Sequence, residues 1–204
     1  MISIRSASPA DSEKATFLIR LTLGGTAELF TDNKSMITSE QILSALFVCK
    51  AGRLGYQHSF ILEADDMPAG LLISFPASKL AALDIATGTN LLSILGLSAM
   101  VRLVLRMLPM TSVHEAERGE YYISNLGIHP DFQRRGYGGR LLTFAEEQAR
   151  KLGLKKCSLI VHQHNENAIR LYQCFDYRIV YSDQFKGLLD KAERGYHRMV
   201  KELK

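Results

Sequence analysis

Cysteine is scarce in this sequence. Only Cys49, Cys157 and Cys174 occur among 204 residues, with no Cys-x-x-Cys pair. That excludes a disulfide framework or a zinc ribbon and points to a reduced, cytoplasmic protein. At the start, Met1-Ile2-Ser3-Ile4-Arg5 has no basic stretch leading into an apolar core, so no secretory signal is expected. Repeats and low-complexity tracts are absent. So is a long uninterrupted apolar run: Ile85–Val101 contains Thr87, Gly88, Thr89, Asn90 and Ser93, which makes it short and polar for a membrane span. A large excess of one charge is also missing. The net +4 is explained by solvated surface lysines, so no nucleic-acid partner is expected.

What remains is ordinary globular material, 47% hydrophobic and 23% charged, enough for one packed domain. Ile2 to Ala7 alternates as a strand. Ser8-Pro9-Ala10-Asp11 supplies a cap, a first-turn proline and an acid for a helix to about Ala27. Thr38 to Gln41 forms a capping box for a second helix, with Ile42, Ala45, Leu46 and Cys49 on one face and Gly52 as the stop. Ser59–Ala64 and Ala69–Phe75 read as a hairpin turning on Asp65-Asp66-Met67-Pro68.

The segment from Ser78 to Leu108 is different. From Asn90 onward, apolar residues from Leu91 to Leu108 cover nearly every side of a helix, and Arg102 and Arg106 form its polar stripe. Three readings stay open: a core or homodimer-interface helix, an apolar wall over a substrate pocket, or a membrane-surface contact. Next come a strand Glu120–His129, a loop Asp131–Arg135 and a helix from about Gly138 to Leu152. Lys156–His162 is a further strand, Asn165 caps a helix to about Phe175, and Tyr177–Ser182 and Tyr196–Leu203 supply the last strands.

The charge is unevenly placed. Between Gln133 and Lys156 seven basic residues face only Glu146 and Glu147, a local +5 that leaves the rest of the chain at −1. Within that window Gln133-Arg134-Arg135-Gly136-Tyr137-Gly138-Gly139 joins a strand to a helix. Glycines there let backbone N–H groups converge, and the helix dipole and two arginines favour an anion such as a diphosphate. A P-loop would need Gly-Lys-Ser/Thr, and a dinucleotide fingerprint would need glycine where Leu141 stands; neither is present. A plain helix-start turn is the competing reading of these glycines.

Leu126-Gly127-Ile128-His129-Pro130 followed by Gln133-x-x-Gly136-x-Gly138, with Asn165-x-x-Ala168-x-x-Leu171-Tyr172 downstream, resembles the two motifs of the GNAT superfamily of acyl-CoA-dependent N-acetyltransferases. The likeness is close over about Tyr121 to Tyr177. It implies an α/β (α+β) fold with a central mixed, mostly antiparallel twisted sheet of about seven strands, flanked by helices and splayed at the cofactor site. The chain would be a single domain over 1–204 with a helical insertion at about 78–118. The resemblance also implies acetyl-CoA as cosubstrate and transfer to a primary amine of a small molecule or protein by direct attack, through a tetrahedral intermediate. Leu126, Gly127 and Ile128 would pair their backbone with pantetheine; Gln133, Arg134, Arg135, Gly136, Tyr137, Gly138 and Gly139 would hold the diphosphate; Asn165 would reach the cofactor or simply cap its helix. Tyr172 would protonate the departing thiolate.

Two departures stand out. Tyr122 fills a strand position that holds a glutamate in the histone-modifying branch, leaving Glu120, on the same strand face, as the expected base acting through water. Asp176-Tyr177 replaces the usual Gly-Phe. His162 and His164 flank Gln163 without a third ligand at telling spacing, so no metal is expected. A catalytically silent acyl-CoA-binding module is the alternative function.

Overall fold

The structure is a computed structural model that describes residues 1–31, 37–107, 113–184 and 195–204. In chain order the elements are β1 (Ile2–Ser6), α1 (Ser12–Leu23), α2 (Ser39–Val48), β2 (Ser59–Ala64), β3 (Met67–Pro76), α3 (Leu80–Met107), β4 (Glu120–Ile128), α4 (Tyr137–Lys151), β5 (Lys156–His162), α5 (Glu166–Cys174), β6 (Arg178–Gln184) and β7 (Gly195–Glu202). They build one seven-stranded sheet in the order β1-β2-β3-β4-β5-β7-β6. Every neighbouring pair is antiparallel except β4 with β5. The mixed, mostly antiparallel sheet expected from the resemblance is therefore the observed one.

Local chemistry sets the element ends. Asp65 and Asp66 both adopt positive φ (51° and 63°), the signature of a two-residue hairpin turn. Met67 and Pro68 thus belong to β3 rather than to the predicted four-residue turn. The first helix stops at Leu23 instead of Ala27 because Gly24 turns to φ 53°, and the chain runs on as a 3₁₀ segment, Gly24–Phe30. The capping box of α2 forms as predicted: the Thr38 hydroxyl accepts the Gln41 N–H at 3.2 Å and the Gln41 side chain accepts the Thr38 N–H at 2.8 Å.

Helices cover both faces of the sheet. On one face α1, α2 and one side of α3 close over Ile73, Phe75 and Tyr122. On the other, α4 and α5 bury Leu141, Leu142, Leu159 and Tyr177. The strand, helix, strand order β4-α4-β5 is the crossover that makes this one parallel pair possible.

Helix α3 is the unusual element. It kinks at Gly96 (φ 73°, ψ 170°), which lies outside helical geometry. Leu83, Leu91 and Leu103 are buried, but Ile85, Leu92, Leu97, Val101, Val104 and Leu105 are exposed, Leu97 by 73%. The core reading of this segment thus holds for one side only, and the opposite apolar side is uncovered. By length and composition alone α3 is apolar enough to cross a bilayer. Its arginines are engaged locally: Arg102 donates to the Ser98 carbonyl at 3.1 Å and Arg106 to the Thr31 carbonyl. Leu108, the predicted end of the apolar run, lies outside the described residues.

Candidate active site

The site begins where the sheet divides. Strands β4 and β5 pair only from Glu120 opposite Lys156 to Ile123 opposite Leu159. Beyond that point β4 stays with β3 as far as Ile128, and β5 stays with β7 as far as His162. The β5-facing edge of Leu126, Gly127 and Ile128 is left without a strand partner. A bulge accompanies the parting: Ile73 faces Asn125 and Ser74 faces Ile123, so Ser124 has no partner on β3. Such an extra residue bends its strand and re-aims side chains. Gly127 lies directly under α1, where a Cβ would come within 2.8 Å of the Thr22 methyl.

The basic loop stands at the end of this gap. Gln133, Arg134, Arg135 and Gly136 are exposed, whereas Tyr137 and Gly139 are buried. Gly136 is the N-cap of α4 at φ 79°, and no side chain caps the helix there. Arg134 also has positive φ, at 60°. The Arg135 guanidinium lies 5.4 Å from the Phe132 ring centre, and Gln133 donates to the Ile128 carbonyl at 3.2 Å. Uncapped first-turn amides, two arginines and open space at Gly136 suit an anion. Gly138 and Gly139 have a different reason to be small: a Cβ would meet Leu171 at 2.9 Å and the Phe175 ring at 2.5 Å, respectively. The two sequence motifs therefore lean on one another, α5 packing on the start of α4.

On α5, the Asn165 side chain accepts the Ala168 N–H at 3.2 Å, which is the capping role. Tyr172 is buried 6.1 Å from the Tyr177 ring, and burial pushes its phenol up to about 12. Asp176 takes φ 65°, the left-handed conformation for which aspartate is among the better tolerated non-glycine residues, so the exchange of glycine at this turn is absorbed.

Glu120 is not brought to this site. It is buried against Arg198, whose Nη2 lies 2.7 and 2.6 Å from its two carboxylate oxygens, and it also accepts the Glu117 N–H at 2.9 Å. A different set of charges lines the cavity of about 330 Å³ beside the gap, between α1, α3 and the parting strands. Tyr122 donates to Glu115 at 2.6 Å. Glu115 also accepts from both terminal nitrogens of Arg53, one at 3.0 Å. Arg53 reaches the bulged Ser124 hydroxyl at 3.2 Å and the Tyr122 oxygen at 3.2 Å, with Asp84 3.5 Å away. Burial, and then Glu115, hold the Tyr122 phenol well above its ordinary value; burial likewise raises the Asp84 carboxyl. Arg53, Asp84 and Glu115 had no spacing signal in the sequence, because they come from three separate segments. His162 also lines this cavity, its ring 5.3 Å from that of His164. No group of three metal-ligating side chains occurs among the described residues.

The site thus combines a mixed sheet parted between its parallel strands, a basic glycine-containing loop at the gap and a largely apolar cavity beside it. The acetyltransferase (GNAT) family profile matches residues 53–177. The chain belongs to that family. An acetyltransferase of Yersinia enterocolitica is 33% identical over 64 residues, 31% of this chain and 44% of that protein. A chloroplastic GCN5-related N-acetyltransferase of Arabidopsis thaliana is 34% identical over 80 residues, 39% of this chain and 28% of that one. The chain thus spans less than half the length of these curated relatives. An N-acetyltransferase from Staphylococcus aureus Mu50 shares the fold at a TM-score of 0.72 with 21% identity, over 98% of this chain and 100% of that one.

Proposed function

We propose that the chain is an N-acetyltransferase that moves the acetyl group of acetyl-CoA to a primary amine of a small molecule or protein. The observation that carries this reading is the unpaired edge of β4 ending at the basic cradle of α4. In it, the backbone of Leu126, Gly127 and Ile128 receives pantetheine by strand addition. Residues Gln133 to Gly139 hold the diphosphate, with Arg134 and Arg135 as its counter-charges. The amide nitrogen of Asn165 is offered to the cofactor while its oxygen caps α5.

In the transfer, the neutral amine attacks the thioester carbonyl; a C–N bond forms, the C–S bond breaks, and its electron pair leaves on sulfur. The surplus amine proton passes to water, and Tyr172 supplies the thiolate with a proton and regains one from solvent. Burial keeps the phenol protonated and also makes it a weaker acid than the thiol, so the returning solvent proton completes the transfer. Glu120 is given no part in this scheme because its carboxylate is engaged by Arg198.

The test is the Tyr172→Phe variant, followed by thiol release. Loss of a general acid is expected to lower kcat by about 10²–10⁴-fold, with CoA affinity, measured by calorimetry, within twofold of the parent. Unchanged turnover across pH with intact CoA binding would remove Tyr172 from the role. CoA binding by the parent without acetylation of any amine would favour the silent binding module.

A further inference from the structure

The cavity beside the gap has a charge balance and a size that together restrict the acceptor. Its walls are largely apolar, with Leu23, Phe30, Leu54, Leu91 and Ile160 among them. The volume of about 330 Å³ is at the lower end for ligand pockets, which suits a small body rather than a length of polymer. One permanent cation, Arg53, faces two carboxylates, Glu115 and Asp84, and the His162 ring stands on the same wall. The guanidinium is already used on every nitrogen: Nε on Ser124, Nη1 on Glu115 and Asp84, Nη2 on Glu115 and Tyr122. An incoming carboxylate could claim Arg53 only by displacing Glu115, leaving that partly buried anion unpaired. Asp84, half exposed and at the long end of its contact with Arg53 at 3.5 Å, is the carboxylate with most capacity left for a cationic guest.

We infer that the acceptor is a compact amphipathic amine: a small apolar body seated between α1, α3 and β5, carrying its amine and no carboxylate. This rests on the acetyltransferase reading. The wall is supplied by Asp84, Thr87 and Leu91 from the first half of α3, whereas Leu97, Val101 and Leu105 of the second half are exposed and take no part in it. The apolar-wall expectation for this segment therefore narrows to one end of the helix.

The experiment compares phenethylamine, phenylalanine, spermidine and a hexapeptide with a free N-terminus as acceptors, with thiol release for turnover and calorimetry for CoA binding. Phenylalanine has the same body as phenethylamine plus a carboxylate, spermidine is an extended polycation, and the peptide exceeds the cavity. The expected result is a kcat/KM for phenethylamine at least tenfold above each of the others. Val113→Phe, which fills the cavity from its loop side, should lower that value at least tenfold while the CoA Kd stays within twofold. Asp84→Asn should narrow the gap between phenethylamine and phenylalanine. Equal or better turnover of phenylalanine, spermidine or the peptide overturns the acceptor class and leaves acetyl transfer standing. Failure of the parent to bind CoA overturns the acetyltransferase reading itself, and CoA binding without turnover of any of the four overturns the acceptor class alone.

Discussion

Glu120, the base expected from the sequence, is placed by the fold in a buried ion pair with Arg198. Its place two positions before Tyr122 puts it on the expected strand face, and that much is local information. Its partner Arg198 is 78 positions away, and only the β5–β7 pairing brings the two together. Burying one charge of such a pair without the other costs about 3–5 kcal/mol. Arg198→Met should therefore lower stability by about that amount in urea unfolding. Glu120→Gln should lose stability too, while the folded fraction keeps its kcat/KM. A Glu120→Gln protein that is fully folded yet more than tenfold slower would return Glu120 to the chemistry. At Tyr122 the departure from a glutamate was legible, but its consequence was not. The phenol hydroxyl holds a carboxylate, Glu115, from the segment preceding β4, and no motif encodes that meeting. Asn165 and Asp176 were readable because a helix cap and a left-handed turn depend on immediate neighbours.

At the scale of elements, what was legible followed the same rule. Caps, the β2–β3 hairpin and the helix after the basic loop are written in short-range pattern, and each formed within a few residues of its expected place. The bulge at Ser124 was not legible. It makes Tyr122 and Asn125, three apart, face the same layer, whereas a regular strand repeats every two. Helix α3 was legible in composition but not in orientation, since residues apolar on all sides do not reveal which side is covered. The structure separates Leu91, 6% exposed, from Leu97, 73% exposed. Leu91→Ala should cost about 2–5 kcal/mol, a cavity in the core, whereas Leu97→Ala should stay within about 0.5 kcal/mol. Equal losses in denaturant titrations would mean that the uncovered side of α3 is covered in solution.

Across the whole molecule, the buried phenols govern behaviour in alkali. Tyr172 is pushed up to about 12 by burial, and burial raises Tyr122 and Tyr177 as well. In the unfolded chain each would ionise near its ordinary value of about 10. The unfolded state then releases protons that the folded state keeps, so the phenols' contribution is complete below about pH 10 and declines as pH rises towards 12, while the buried Cys157 thiol, pushed up to about 12 by burial, adds the same trend from about pH 8.5. Thermal unfolding followed by circular dichroism should give a Tm level to about pH 8.5, then falling, and falling steeply above about pH 10. Tyr172→Phe, which has no phenol to ionise, should flatten part of that fall. A Tm unchanged to pH 11.5 would contradict the burial of these groups.

The short β4–β5 ladder has one more consequence. A sheet edge with unpaired backbone groups invites other chains to add to it, and proteins usually protect such edges with lysine, proline or a covering loop. Here the edge lies in the interior of the sheet, flanked by β5 on one side and roofed by helices on both faces. Within the slot Gly127 lies directly beneath α1, which leaves little height for a side chain there. The hydrogen-bonding capacity that makes an outer strand sticky is thus set between β4 and β5, away from the outer strands β1 and β6.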